Sequence, residues 1–311
     1  MLKWRKSLSS SDSNIRLKNL AAIASVSVSM LLSLIKAAAV FYTGSLSVLS
    51  SMIDSLSDVL SSLITYIAVR ISDKPLSEHH RYGYGKAEAV SALVQAAFIA
   101  GSAGFILYDG INRFVHPVQV RQTAVGMVIM LISLLTTAIL IVFQRHVVKC
   151  TNSKAIEADS AHYVVDILSN ASVILSLVVV RYFAWQWFDI LTAVLIAIYL
   201  AFNAMQLAYN ALSEITDAEV DDKIKRHIIG IVQGVDGVKG YHDLRTRISG
   251  ARMFIEIHLE LDGNLTLFAA HTITDRAEQK IMADYPHAQV IIHQDPAGIC
   301  EDRLDHQIKK L

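Results

Sequence analysis

The sequence has few of the features that typify secreted proteins. Its 311 residues include only two cysteines, Cys150 and Cys300, which lie far apart and form no C-x-x-C pair. We therefore interpret both as reduced thiols on the cytosolic side. Residues 1–14 contain neither an apolar core nor a small-residue cleavage site, so we expect no signal peptide.

Excess charge and enzyme motifs are also missing. The 28 basic and 28 acidic residues give a formal net charge of zero, and neither half of the chain has a basic block. This composition gives no indication of a nucleic-acid partner. The patterns G-x-x-x-x-G-K-[ST], G-x-S-x-G and H-E-x-x-H do not occur in the sequence. We therefore expect neither an enzyme nor a protein driven by ATP.

What the chain has in abundance is apolar sequence. Hydrophobic residues make up 53% of it, charged residues only 18%, and the mean hydropathy is +0.42, which is more apolar than an ordinary soluble domain. Several stretches are long enough to cross about 30 Å of hydrocarbon at about 1.5 Å per residue. We predict six transmembrane helices in a lipid bilayer, at 17–42, 45–71, 87–114, 122–143, 158–183 and 187–212.

Basic residues concentrate in alternate connections between these stretches. They precede the first stretch and follow the second and the fourth: Lys3, Arg5, Lys6, Arg16, Lys18, Arg70, Lys74, Arg81, Lys86, Arg145, Lys149 and Lys154. The opposite connections contain only Arg113, Arg121 and Arg181. The positive-inside rule therefore places both termini in the cytoplasm, in agreement with an even number of spans.

The composition changes near Asp217 to that of a small soluble domain. Residues 220–232 show the pattern of an amphipathic helix, and residues 254–261 alternate strictly between apolar and polar. With a second helix at 267–285 and a strand at 289–293, we predict the order α, β, β, α, β, with the helices on one face. The predicted domains are 1–213 in the membrane, 214–297 in the cytoplasm and a mobile tail at 298–311.

Two pairs of ionisable residues interrupt the apolar stretches. Asp54 and Asp58 lie in the second stretch, and His162 and Asp166 lie in the fifth, each pair at the spacing i, i+4. On a helix, this spacing projects both side chains from one face. Such groups cost about 2.5 to 3.5 kcal/mol each at membrane depth and by default indicate an ion pathway. Together the pairs form a possible four-ligand set for a divalent metal. A helix-end role for Asp54 and Asp58 stays open, and so does a helix start formed by Asp159, Ser160 and His162.

Longer segments of the sequence resemble the cation diffusion facilitator family, and particularly bacterial zinc and ferrous-iron efflux pumps. The resemblance rests on GSLSVLSSMIDSLSDVLSS, YGYGKAEAVSAL, EADSAHYVVDILSN, HDLRTR and IIHQDP, and it extends over nearly the whole chain. It implies that Asp54, Asp58, His162 and Asp166 are the transport ligands. One imidazole and three carboxylates suit tetrahedral Zn²⁺ and tolerate Cd²⁺ or Fe²⁺. Aspartate at position 54 resembles the less selective members.

A second group of candidate ligands lies in the soluble domain. His293 and Asp295 are spaced i, i+2 and share a strand face, and His258 lies on the polar face of its own strand. In similar pumps these positions, together with those of His242 and His271, bind a zinc pair near the interface of two cytoplasmic domains. The resemblance therefore implies a homodimer with structural or regulatory zinc. Surface histidines on a polar face are the alternative.

The connection between the second and third helices departs from the family pattern. Similar pumps often have an Asp and two His there, but only His80 matches, because Ser77 and Tyr84 occupy the other two positions. Asp73, Glu78 and His79 are neighbours that could rebuild a metal site, and a solvated polar loop is the other interpretation.

A further position concerns the junction of the two domains. Lys86 matches a lysine that in similar pumps pairs with an acid after the sixth helix, and both Glu214 and Asp217 are candidates. A lysine that extends to the membrane interface is the alternative. For Asp189 and Asn170 we expect roles at helix ends and in packing.

These observations favour a homodimeric antiporter of the bacterial inner membrane. We expect it to export Zn²⁺, with Cd²⁺ and Fe²⁺ as further candidate substrates, in exchange for protons. A membrane-anchored metal sensor is the alternative, because its soluble domain would use the same histidines. An intramembrane hydrolase would need an open ligand position and a separate acid or base.

Overall fold

A computed structural model of the protein describes residues 2–43, 46–115, 124–183, 187–299 and 303–308. The chain divides into two compact units, Met1–Leu212 and Ser213–Leu311. The division lies one residue before the predicted domain boundary. Each unit is described separately below.

The first unit consists of long helices. Over the described residues these are α1 (Leu2–Thr43), α2 (Leu46–Ser72), α3 (Lys86–Val115), α4 (Ala124–Thr151), α5 (Lys154–Phe183) and α6 (Trp187–Ile215). Each of the six predicted spans falls on one of them. The helices extend beyond the predicted spans at some ends, most at the start of α1, because hydropathy indicates where a helix lies in hydrocarbon and not where its hydrogen bonding begins.

Four of these helices contain a described stretch that is long and apolar enough to cross a membrane: Ser13–Ala39, Lys86–Tyr108, Leu131–Thr151 and Leu191–Ile215. The predicted spans in α2 and α5 lie partly on residues whose side chains fall outside the described part of the chain. These two helices also contain the predicted intramembrane ligands.

Small residues dominate the contacts between the helices. Ala92, Ala96 and Ala103 of α3 pack with residues of α5 and with Ala204 and Leu200 of α6 in one buried cluster. A second cluster joins α1, α2, α4 and α5. Small side chains let helix backbones approach closely, which favours helix association in lipid.

The second unit is an α+β domain. Its elements are α7 (Asp222–Gln233), β1 (Gly240–Ser249), β2 (Arg252–Leu261), α8 (Leu267–Asp284) and β3 (Ala288–Pro296). β2 is the central strand of the sheet, antiparallel to β1 and parallel to β3. The predicted order α, β, β, α, β is therefore confirmed.

The core of this domain lies between the sheet and the two helices. The apolar set of β2 that the alternation predicts, Ile255, Ile257, Leu259 and Leu261, is buried. It packs with α7 and α8 in one cluster. The opposite face of β2 therefore presents Glu256, His258 and Glu260.

The segment after β3, which the sequence predicts to be mobile, contains a short helix. This helix, α9, extends over Leu304–Ile308. Its first two backbone N–H groups donate to the carboxylate of Asp243 in β1. The sequence pattern gives no sign of this helix because five residues are too few to show a helical period.

Candidate metal sites

Helices α2 and α5 bring three of the four predicted intramembrane ligands together. Potential ligand atoms of Asp58, His162 and Asp166 all lie within 4.8 Å of one another. Nε2 of His162 is 3.3 Å from Oδ1 of Asp58. The side chain of Asp54, the fourth predicted ligand, lies outside the described part of the chain. One imidazole and two carboxylates already provide the nitrogen and oxygen donors that suit a divalent transition metal.

Two members of this group, His162 and Asp58, are largely withdrawn from solvent. His162 is exposed by 7% and Asp58 by 19%, so an ion held here would be largely withdrawn from water. The interpretation of His162 as part of a helix start is wrong, because α5 begins at Lys154 and residue 162 lies two turns inside it.

One turn before His162, the fully buried carboxylate of Asp159 connects four helices. It accepts hydrogen bonds from Ser25 of α1 at 2.5 Å and from Gln144 of α4 at 2.6 Å. Thr65 of α2 donates to its other oxygen at 3.4 Å. Sequence reasoning assigned Asp159 only to a possible helix start. The spacing i, i+3 from His162 was the one available signal that it shares a face with the transport ligands.

A second buried polar network lies where α1, α2, α3 and α5 approach each other. Lys18 Nζ is 2.5 Å from Oδ1 of Asp73 and 3.0 Å from Oε1 of Glu88. Glu88 also accepts from Ser72 and Ser153. Burial raises the pKa of Asp73 above its ordinary value, although the hydrogen bond and charge of Lys18 act in the opposite direction. By its distance, Asp73 is a partner of Lys18, and among the described residues it is not part of a group of three potential metal ligands.

The connection between α2 and α3 holds His80 within a local turn. The His80 ring stacks on Tyr84 at a centroid distance of 4.3 Å. Its backbone N–H donates to the hydroxyl of Ser77. Among the described residues, His80 is not part of a group of three potential metal ligands.

The three strands of the second unit align three histidines. His242 of β1 is the register partner of His258 of β2, which in turn is the partner of His293 of β3. The ring centroids are 4.8 Å apart between His242 and His258 and 4.7 Å apart between His258 and His293. Register partners point to the same side of a sheet, so the sheet itself assembles the row.

Asp295 contacts all three histidines of this row. Its Oδ2 is 2.8 Å from Nδ1 of His258 and 3.4 Å from Nε2 of His242, and its Oδ1 is 3.2 Å from Nε2 of His293. Potential ligand atoms of His242, His258 and Asp295 lie within 4.8 Å of one another. The donor set, neutral imidazole and carboxylate, fits zinc, and a carboxylate whose two oxygens face different histidines suits a bridging ligand.

His271, the fifth predicted ligand of this domain, has a different neighbour. It is an exposed residue of α8, with Nε2 3.7 Å from Oδ1 of Asp275. It lines an apolar depression with Leu267, Phe268 and Gln294. Within one chain, the structure therefore does not bring His271 to the row.

The two candidate partners of Lys86 have partners of their own in the second unit. Asp217 is 3.3 Å from Nη1 of Arg247, and Oε1 of Glu214 accepts from the backbone N–H of Gly250 at 2.7 Å. The pairing of Lys86 with either acid stays a prediction.

The remaining predictions concern four single residues. Cys150 is an exposed free thiol, whereas Cys300 falls outside the described residues. The side chains of Asp189 and Asn170 also fall outside them.

Comparisons with known proteins cover both units. A family model described as the cation efflux transmembrane domain matches residues 22–216, and one described as the cytoplasmic domain of cation efflux proteins matches residues 220–297. The cation-efflux pumps FieF of Klebsiella pneumoniae subsp. pneumoniae and of Escherichia coli O1:K1 are each 42% identical to this chain over 284 residues. The match covers 91% of this chain and 94% of each relative.

Two similar solved structures each match about a quarter of this chain. The metal-bound C-terminal domain of the CzcD transporter from Thermotoga maritima matches with 26% identity and a TM-score of 0.25, over 25% of this chain and 93% of that domain. The zinc form of the transporter CzrB matches with 28% identity and a TM-score of 0.26, over 27% of this chain and 97% of that chain.

Proposed function

Because this chain belongs to the cation efflux (cation diffusion facilitator) family, we propose that it exports a divalent transition metal from the bacterial cytoplasm in exchange for protons. The observation that supports this most directly is the grouping of Asp58, His162 and Asp166 inside a helical membrane unit. Zn²⁺ is the substrate that this donor set fits best, and Cd²⁺ and Fe²⁺ are further candidates.

The buried position of the group requires the helices to move during transport. With the termini in the cytoplasm, Asp159 lies on the cytoplasmic side of His162 in α5. Asp159 and its donor Gln144 are fully buried, so we expect them to obstruct the route from that side. Loading therefore requires α5 to separate from the helices that hold Asp159, and closure after loading would turn the ion toward the outside.

Protons would be the counter-ion because they compete with the metal for the same ligand atoms. Imidazole and carboxylates bind a metal only when they are deprotonated, so metal binding releases protons and acid displaces metal. Moving Zn²⁺ outward for a single proton would work against an inside-negative potential by about 2.3 kcal/mol per net charge per 100 mV. We therefore expect two or more protons per cycle.

In the soluble domain, His242, His258, His293 and Asp295 would hold resident zinc. Bound zinc would add bonds between β1, β2 and β3 and so stabilise the sheet. A homodimer would place a second copy against this domain. The exposed apolar residues Leu267 and Phe268 of α8, next to His271, support such a contact. In that assembly, His271 would have access to ligands that one chain does not provide.

The test is metal flux in proteoliposomes that contain the purified protein, with Zn²⁺, Cd²⁺, Fe²⁺ and Mn²⁺ compared. We expect Asp166→Ala and Asp58→Ala to reduce Zn²⁺ flux to the level of protein-free liposomes, because each removes one ligand. Their melting temperatures in detergent should stay equal or rise, because a carboxylate is costly in an apolar setting without metal.

The control is Asp236→Ala, which removes an exposed carboxylate of the second unit and should transport as the wild type does. Normal zinc transport by Asp166→Ala would contradict the assignment. Absence of flux from the wild type, combined with zinc binding, would favour the membrane-anchored sensor.

A further inference from the structure

The carboxylate of Asp243 holds the C-terminal segment against the sheet. Its Oδ1 accepts from the backbone N–H of Asp305 at 2.9 Å, and its Oδ2 accepts from that of Leu304 at 3.0 Å. In return, the backbone N–H of Asp243 donates to Oδ2 of Asp305 at 3.1 Å. These three bonds join the start of α9 to β1.

A salt bridge fixes the same segment to the next strand. Nη2 of Arg303 is 2.6 Å from Oε1 of Glu260 in β2, and both side chains are largely buried. Glu260 is the register partner of Asp295. The segment 303–308 is therefore attached at two points close to the histidine row. One is on β1 beside His242, and the other is on β2 opposite Asp295.

The backbone of Asp243 has an unusual conformation at this point. Its φ is +50°, and the β1–β2 register shifts between His242 and Arg245. A non-glycine residue with positive φ is strained and persists only where the surrounding structure holds it in place. The hydrogen bonds to α9 provide this fixation.

The same carboxylate faces His242. Oδ2 of Asp243 is 3.7 Å from Nδ1 of His242, whereas Nε2 of His242 is directed at Asp295. A neutral histidine that binds metal through Nε2 keeps its proton on Nδ1, and a carboxylate near that nitrogen orients the ring and increases its basicity. Asp243 lies on the Nδ1 side of His242, at 3.7 Å, which is a charge contact and longer than a hydrogen bond.

We propose that Asp243 is a positioning residue for the zinc ligand His242, and that the segment 303–308 acts on zinc binding by holding Asp243. The inference rests on the proposed zinc site of the soluble domain. It extends that proposal by adding the C-terminal segment as a partner of the site. Because coupling between two binding events is reciprocal, zinc should in turn strengthen the attachment of the segment.

Two variants at one position separate the hydrogen bond from the side chain. Leu304→Pro removes the N–H that donates to Asp243, and proline is compatible with the first position of a helix. Leu304→Ala keeps the N–H and shortens the side chain. Outer carboxylates and their supports typically change metal affinity by about 10- to 100-fold when lost. We expect Leu304→Pro to weaken zinc binding by about 10-fold and Leu304→Ala to change it less than about twofold.

The measurement uses the full chain in detergent with Asp166→Ala as the background, so that the intramembrane group does not obscure the titration. Zinc affinity is measured by competition with a chromophoric chelator. Hydrogen exchange of the peptide that contains residues 303–308 is followed with and without zinc. Zinc should slow exchange of this peptide in the background protein but not after His258→Ala, which removes a ligand outside the segment's contacts.

The possible outcomes distinguish the two proposals. If the background protein binds zinc, but Leu304→Pro and Leu304→Ala bind it equally and zinc leaves the exchange unchanged, the coupling does not exist and the zinc site stands. If the background protein binds no zinc in its soluble domain, the site and the coupling both fall. If Leu304→Pro does not fold, the hydrogen exchange of residues 303–308 in the background protein and in His258→Ala decides whether zinc is coupled to the segment.

Discussion

Replacing Asp54 by histidine would exchange one carboxylate of the predicted transport set for a neutral, softer imidazole. A set of two histidines and two aspartates suits tetrahedral Zn²⁺ and offers less negative charge to larger or harder ions. We expect Asp54→His to raise the ratio of Zn²⁺ to Cd²⁺ flux in proteoliposomes. Asp54→Glu, which keeps the carboxylate, is the matched control. An unchanged ratio in Asp54→His would remove residue 54 from the selectivity of the site.

The buried network of Lys18, Asp73 and Glu88 between the helices should contribute measurably to stability. Lys18→Met would leave Asp73 and Glu88 buried without their common cation, and breaking a buried pair in this way costs about 3 to 5 kcal/mol. We expect a lower melting temperature in detergent and partial recovery in the double variant Lys18→Met, Asp73→Asn. The control is Lys154→Met, since the pair of Lys154 and Glu157 is 34% and 44% exposed and should contribute about 1 kcal/mol or less. Equal effects of both single variants would contradict the structural role of the network.

The three strands of the soluble domain allow a second test on the scale of an element. Zinc that binds only the folded sheet should stabilise it by about 2.7 kcal/mol at 100 times the dissociation constant. We expect zinc to raise the melting temperature of the full chain, and His258→Ala and Asp295→Ala to lose most of this shift. His287→Ala, which removes an exposed histidine outside the row, should keep it. A shift that survives in Asp295→Ala would show that the zinc binds elsewhere.

For the whole transporter, proton exchange predicts that a pH gradient drives transport. Acid on the outer side should favour release of the metal there, because protons take over the ligand atoms. In vesicles with the voltage clamped by potassium and valinomycin, we expect Zn²⁺ movement toward the acidic side to increase with the gradient. His162→Asp, which replaces the imidazole by a carboxylate, should shift the pH dependence to lower values. Flux that ignores the pH gradient would exclude proton coupling.

The sequence predicted most of the architecture because most of it follows from periodic patterns. Hydropathy located the six long helices of the first unit, and the alternation in 254–261 gave the buried face of β2. The i, i+4 spacing placed His162 and Asp166 on one face of α5, and the packing of α2 on α5 adds Asp58 to them. The network of Lys18, Asp73 and Glu88 was not predictable in this way, because contacts between residues 55 and 70 positions apart depend on how the helices pack.

The histidine row has a consequence for how the soluble domain folds. β3 pairs with β2 in parallel, and its register decides which side chains share a face with His258. A slip of one residue would turn His293 and Asp295 toward the core and destroy the ligand set. Zinc would therefore favour the native alignment of β3 over a shifted one, since only the native register can bind it. Deleting one residue between Ala288 and Ile292 should abolish the increase in refolding yield that zinc produces. Deleting His287 in the preceding loop should leave that increase in place. Equal refolding yields of the two deletion variants with zinc would refute this role of the metal.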